Sequence, residues 1–146
     1  MKLAIGSDHG GFELKTLIIA YLKDLGHDVQ DFGCYSTDSA DYPAVAIPLS
    51  EAVAAGKFEK GILICGTGIG MSIAANKVRG VRCALCSESL SARLTREHND
   101  TNVLAMGARM IGPEMEKEIV KVWLGTDFIG KHHSKRIQMI SDFENK

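Results

Sequence analysis

Five short apolar, β-branched runs punctuate the chain: Lys2 to Gly6, Asp28 to Gly33, Gly61 to Cys65, Val81 to Cys86 and Val103 to Gly107. Between the first two, Leu14, Leu17, Ile18, Tyr21, Leu22 and Leu25 recur at three- and four-residue intervals, one apolar face of a helix, and Gly26 supplies its C-terminal cap. The rhythm repeats with helical patterns at Ala44 to Ala55, Met71 to Val78, Glu88 to His98 and Pro113 to Leu124; Pro113 suits a first turn and Gly125 an end. Lys131 to Lys146 reads as a tail helix, basic and then amphipathic. Strand runs that alternate with helices predict a parallel sheet covered on both faces. The expected fold class is α/β: a Rossmann-like three-layer α/β/α sandwich with a five-stranded parallel sheet.

Length and composition narrow this only a little. A chain of 146 residues fits a single domain over residues 1–146, enough to bury roughly two-thirds of the surface of its unfolded form. The net charge of -1 argues against a nucleic-acid partner, since affinity for a phosphate backbone needs an excess of Lys and Arg. No apolar run approaches the ~20 residues of a membrane span, and Met1 leads straight into Lys2-Leu3-Ala4-Ile5 without the features of an export signal. No membrane association and a cytoplasmic location are therefore expected. On that footing Cys34, Cys65, Cys83 and Cys86 are free thiols. Cys83 and Cys86 form a C-x-x-C, but no second pair follows at zinc spacing, and both fit a strand as small core residues.

In open parallel sheets the ligand crevice lies beyond the carboxyl ends of the strands, so the residues that follow each strand carry the chemistry. The first is followed by Gly6-Ser7-Asp8-His9-Gly10-Gly11, a turn that offers a carboxylate and an imidazole; capping the next helix is the simpler role for Asp8. The third is followed by Gly66-Thr67-Gly68-Ile69-Gly70, which opens into a helix. Such a loop can aim backbone N–H groups at a phosphate or a developing oxyanion. It is neither a dinucleotide fingerprint nor a Walker loop, because Met71 stands where those motifs need Gly or Lys. Cys65, at the strand end beside it, is a candidate general base, since a helix start favours the thiolate. His98 and Asn99 lie at a helix end before the fifth run, and a histidine there can exchange protons near neutrality. Arg109 follows the fifth run, and Lys131, His132, His133, Lys135 and Arg136 crowd the tail, a small anion site if they share a ligand with the glycine loop.

These blocks, with Asp41-Tyr42-Pro43 and Ala74-Ala75-Asn76-Lys77, closely resemble the type B ribose-5-phosphate isomerase family in order and spacing over essentially the whole chain. Galactose-6-phosphate isomerase subunits share the glycine loop, whereas the His98-Asn99 block is more similar to the ribose-phosphate branch. The resemblance implies an aldose–ketose isomerase that needs no metal or other cofactor. Cys65 would take the proton from the carbon beside the carbonyl, and Thr67 would help move protons between substrate oxygens. The amides of Gly66, Gly68, Ile69 and Gly70 would hold the cis-enediolate, and His98 would protonate the ring oxygen to open the furanose. It assigns Asp8, His9, Tyr42 and Asn99 to sugar hydroxyls and Arg109 and Arg136 to phosphate. It also implies a homodimer or homotetramer whose sites draw on two subunits, with the tail helix at the phosphate site or a subunit contact. His132 stands where the family has an arginine, which replaces a permanent charge by a titrating one.

Three functions thus stand side by side: an isomerase of ribose 5-phosphate or another sugar phosphate (allose 6-phosphate, galactose 6-phosphate or a tetrose phosphate), a non-catalytic phosphate- or nucleotide-binding module, and a redox protein using Cys83 and Cys86. Only the isomerase needs both a reactive Cys65 and a ring-opening imidazole.

Overall fold

The computed structural model describes residues 1–146. The elements are β1 (Lys2–Ser7), α1 (Phe12–Asp24), β2 (Asp28–Asp31), α2 (Tyr42–Ala54), β3 (Lys60–Cys65), α3 (Ile69–Ala75), β4 (Cys83–Leu85), α4 (Ser89–Asn99), β5 (Val103–Gly107), α5 (Pro113–Leu124) and α6 (His132–Glu144), with a 3-10 turn at His9–Gly11. The five strands form one parallel sheet in the order β2-β1-β3-β5-β4, as the alternating pattern predicts.

Alternation along the strands feeds two apolar layers. Leu3, Ile5, Ile62, Ile64, Leu104 and Met106 face α1, α4 and α5, where they meet Ile18, Leu22, Ala92, Ile119 and Trp123. All six are wholly buried, and each contributes about 1.5–3 kcal/mol relative to exposure. Ala4, Leu63, Cys65, Val103 and Ala105 point the other way, onto Val45, Leu49, Met71 and Ala75 of α2 and α3. Cys65 thus projects toward the α2–α3 face, at the very end of a central strand.

Connectivity places the crevice. From β1 the chain runs through α1 to β2 on one side, then through α2 to β3 on the other. The direction of winding reverses between β1 and β3, and the loops leaving those two strands flank the gap that results.

Several elements differ at their ends from the sequence expectation, each for a visible reason. β2 stops at Asp31 because its carboxylate accepts from the Gly33 N–H (2.8 Å) and turns the chain. β4 keeps only three residues of the Val81–Cys86 run: the Arg82 N–H donates to Asn102 Oδ1 (2.8 Å) and the Cys83 N–H to Asn76 Oδ1 (2.8 Å), so side chains take the place of a ladder. α3 starts at Ile69, two residues early, because Gly68 is left-handed (φ 78°) and turns the chain at once into the helix. No helix is long and apolar enough to cross a membrane.

Candidate active site

At the carboxyl edge of the sheet two loops close on each other. Asp8 Oδ1 accepts from the N–H groups of Gly10 (2.9 Å) and Gly11 (3.2 Å), so the capping role is real, and Oδ2 keeps no partner in the protein. Gly11 lies so close to β3 that a Cβ there would sit 2.6 Å from the Ile64 carbonyl oxygen. Only glycine lets this turn pack against the strand that carries Cys65. His9 Nδ1 accepts from the Ala40 N–H (3.1 Å), so the neutral ring carries its proton on Nε2. The segment donating that bond is anchored from below: wholly buried Lys15 gives its ammonium to both Asp31 oxygens (2.8 and 3.0 Å) and to the Cys34 carbonyl.

Beyond β3 the Gly68 N–H donates to Cys65 Sγ at 3.1 Å, a bond that a thiolate accepts better than a thiol. The sulfur therefore faces the glycine loop, and at 5% exposure it is largely dry without being sealed. The Ile69 N–H is taken by Thr67 Oγ1 (3.2 Å). The N–H groups of Gly66, Thr67, Gly70 and Met71 have no partner within the protein, so four fixed donors stand ready for an anion. Gly68 is irreplaceable in this bend: its φ is positive, and a Cβ would lie 2.8 Å from the Met106 carbonyl carbon and 2.5 Å from Leu85. Tyr42 covers the far end of the loop, its ring 2.8 Å from where a Gly70 Cβ would stand. On the near side the Arg109 guanidinium lies over Gly66, with the Arg109 N–H bonded to the Gly66 carbonyl (2.9 Å). Asp8, His9, Tyr42, Cys65 to Gly70 and Arg109 thus share one edge of the sheet.

His98, Asn99, His132 and Arg136 do not join them. α4 leads into β5, so its last turn lies at the sheet's amino edge, where the Gly61 N–H donates to the Asn102 carbonyl (2.9 Å). Val103 is level with Gly61 and Gly107 with Cys65, a separation along the strands of about 13 Å. Within one chain His98 and Cys65 therefore cannot reach a common sugar. The later residues of the His98-Asn99 block serve as scaffold. Asp100 ends α4 with φ 45° and is gripped by Arg82 and Arg96 (3.4 and 2.8 Å), Thr101 accepts from Trp123 Nε1 (3.0 Å), and Asn102 holds Arg82 and Gly80. The His98 and Asn99 side chains stay free of such bonds. α6 folds back along α4, the Ile129 N–H donating to the Glu97 carbonyl (3.1 Å), and brings His133 face to face with His98. That contact was not legible in sequence; the adjacent His132-His133 pair in the tail was its only sign.

Cys83 and Cys86 are free thiols, pushed up to about 12 and about 11 by burial, and the neighbouring Cys86 and Glu88 respectively add to the rise. Neither is poised for thiolate chemistry. No three of the chain's His, Cys, Asp and Glu side chains converge as metal ligands.

Comparison with known proteins points to one family of sugar-phosphate isomerases. The family model described as Ribose/Galactose Isomerase matches residues 3–140. Ribose-5-phosphate isomerase B of Escherichia coli is 50% identical, over 99% of this chain and 97% of its own. D-erythrulose-4-phosphate isomerase of Pectobacterium atrosepticum is 42% identical, over 100% of this chain and 97% of its own. The solved structure of Clostridium thermocellum ribose-5-phosphate isomerase B superposes with a TM-score of 0.98 at 48% identity, covering 99% of this chain and 98% of that one.

Proposed function

The chain belongs to the ribose/galactose isomerase family, and from that premise we propose that it interconverts ribose 5-phosphate and ribulose 5-phosphate through a cis-enediolate. The observation that carries the proposal is the Cys65 sulfur, turned toward the Gly68 N–H and flanked by free main-chain donors. The Cys65 thiolate takes the proton from C2 of the open-chain aldose, the electron pair moves into a C1–C2 double bond, and the charge develops on O1. Donors already in place stabilise that oxyanion without reorganising. The Thr67 hydroxyl passes a proton from O2 to O1, and the Cys65 thiol, whose proton exchanges with solvent, protonates C1. No step calls on a metal.

Asp8, with its spare Oδ2, and His9, Tyr42 and Asn99 orient the sugar hydroxyls; Arg109, His132 and Arg136 take the phosphate. His98 opens the ring: it protonates the ring oxygen as the C1–O bond breaks, and the anomeric hydroxyl releases its proton to solvent. Because His98 and Cys65 lie at opposite edges, one catalytic centre takes its residues from two chains. A homodimer or homotetramer satisfies that requirement. The exposed apolar Ile69 and Ile73 of α3, Leu85 of β4 and Leu90 of α4, beside the glycine loop, suit such a contact. A cytoplasmic setting agrees with four unpaired cysteines.

Ribose 5-phosphate incubated with the protein in deuterated water acquires solvent deuterium beside the carbonyl and yields ketose, and Cys65→Ala lowers both by about 10³-fold or more. An unlabelled, unchanged aldose with the wild-type protein contradicts the proposal and favours a binding module. One observation favours a second reading: a relative at 42% identity is a D-erythrulose-4-phosphate isomerase, so a sugar phosphate of another length, such as the tetrose or hexose class, is the natural competitor. Ketose formed from a panel of aldose phosphates decides between them.

A further inference from the structure

Three imidazoles meet where α6 comes back upon α4, and the scheme above gives work to only two of them. The His133 ring lies flat on His98, with centroids 4.4 Å apart and planes 14° from parallel. His132 meets His133 at 4.1 Å with a tilt of 39°. The turn before α6 aims this cluster: Gly130 and Lys131 both have positive φ (74° and 55°), which sends the first residues of the helix back toward α4. Since no protein hydrogen bond holds the His98 ring, packing alone sets its tilt.

We propose that His133 is a positioning residue that holds the His98 imidazole, ring on ring, in the orientation from which it delivers a proton to the sugar's ring oxygen. The inference rests on the assignment of His98 as the ring-opening acid. Proton transfer demands close alignment of donor and acceptor, and an unrestrained imidazole about its two side-chain torsions visits many orientations that miss. A flat aromatic plate removes most of them while leaving the ring nitrogens clear.

His133 does this without competing for the proton. Partial burial lowers it below the ordinary histidine value, and the charges of His132, His98 and Arg136 push it further down. The groups that face it are His98 from α4 and His132 and Arg136 from α6. The nearby Glu97 carboxylate is already engaged by Arg93 at 3.0 and 3.2 Å, so it does not compensate the stack.

The test compares two substrates with the full-length protein: ribose 5-phosphate, which must open, and its 4-deoxy analogue, which lacks the hydroxyl needed to close a furanose. The ratio of turnover on the first to turnover on the second isolates ring opening. His133→Ala lowers that ratio about tenfold, and His133→Phe, which keeps a flat ring, recovers most of it. An unchanged ratio in His133→Ala, or equal damage from Ala and Phe, overturns the inference. His98→Ala separates the two levels. If it lowers the ratio while His133→Ala does not, only the positioning role fails; if it too leaves the ratio unchanged, the assignment of His98 itself is wrong.

Discussion

The two ends of the sheet are built by opposite means. At the carboxyl edge nearly every site group is fixed by main-chain geometry: Asp8 by two amides, His9 by Ala40, Cys65 by Gly68, Thr67 by Ile69. At the amino edge His98, Asn99, His132 and Arg136 stand on helix ends, half-buried or exposed, with free side chains. The first region is held in place by its own main chain. The second is a set of polar side chains that the main chain does not hold, as the proposed sharing of a centre between two copies requires. Preorganisation belongs where charge develops, whereas groups that approach from a neighbour must remain accessible until assembly.

This contrast is open to attack by substitution, and the largest effect is expected at the rigid edge. Gly68→Ala forces a side chain into a left-handed bend already 2.5–2.9 Å from Leu85 and the Met106 backbone. Strain of about 1–3 kcal/mol is expected in the urea midpoint, together with a loss of turnover of about 100-fold as the oxyanion donors move. Wild-type turnover in this variant contradicts a preorganised loop.

The pH response sharpens the comparison, because a buried group outside the proposed scheme answers in stability and not in substrate binding. Glu116 is wholly buried on α5 with neither carboxylate oxygen bonded, and burial pushes it up to about 8. Its folded value exceeds the ordinary 4.5, so the neutral form is the one the fold tolerates. The contribution to stability is intact below pH 4.5 and is lost as pH rises toward 8, at up to about 1.4 kcal/mol per pH unit. Glu116→Gln removes that slope in urea titrations at pH 5 to 8 while leaving the KM profile alone. A slope that persists in the variant assigns the effect to another group.

His132 is tested at the exposed edge. His132→Arg, which places a permanent, fork-shaped charge there, lowers KM for the sugar phosphate about threefold with no change in stability. An unchanged KM shows that Lys131, Lys135 or Arg136 carries the phosphate alone.

The sheet and the loops at its carboxyl edge were legible because both depend on local pattern: strands of three to six residues, in an order that leaves one crevice. Placement of His98 was legible in principle too, since a helix that leads into a parallel strand must finish at that strand's amino edge. What could not be read was any contact set by distant side chains. Asp100, Thr101 and Asn102 sit in a conspicuous polar block, yet their partners Arg82 and Trp123 lie about twenty residues away and make them scaffold. Likewise the return of α6 onto α4, which stacks His133 on His98, depends on a turn at Gly130–Lys131 that no periodicity announces.

The central claim is that one catalytic centre takes its base from one chain and its ring-opening acid from another. Complementation tests it directly: Cys65→Ala and His98→Ala proteins, each inactive or nearly so on ribose 5-phosphate, are co-expressed so that mixed dimers form. Half of the dimers are then mixed and hold one intact centre of two, so the account predicts recovery of about a quarter of wild-type turnover. A co-assembled mixture no more active than its two parents contradicts it.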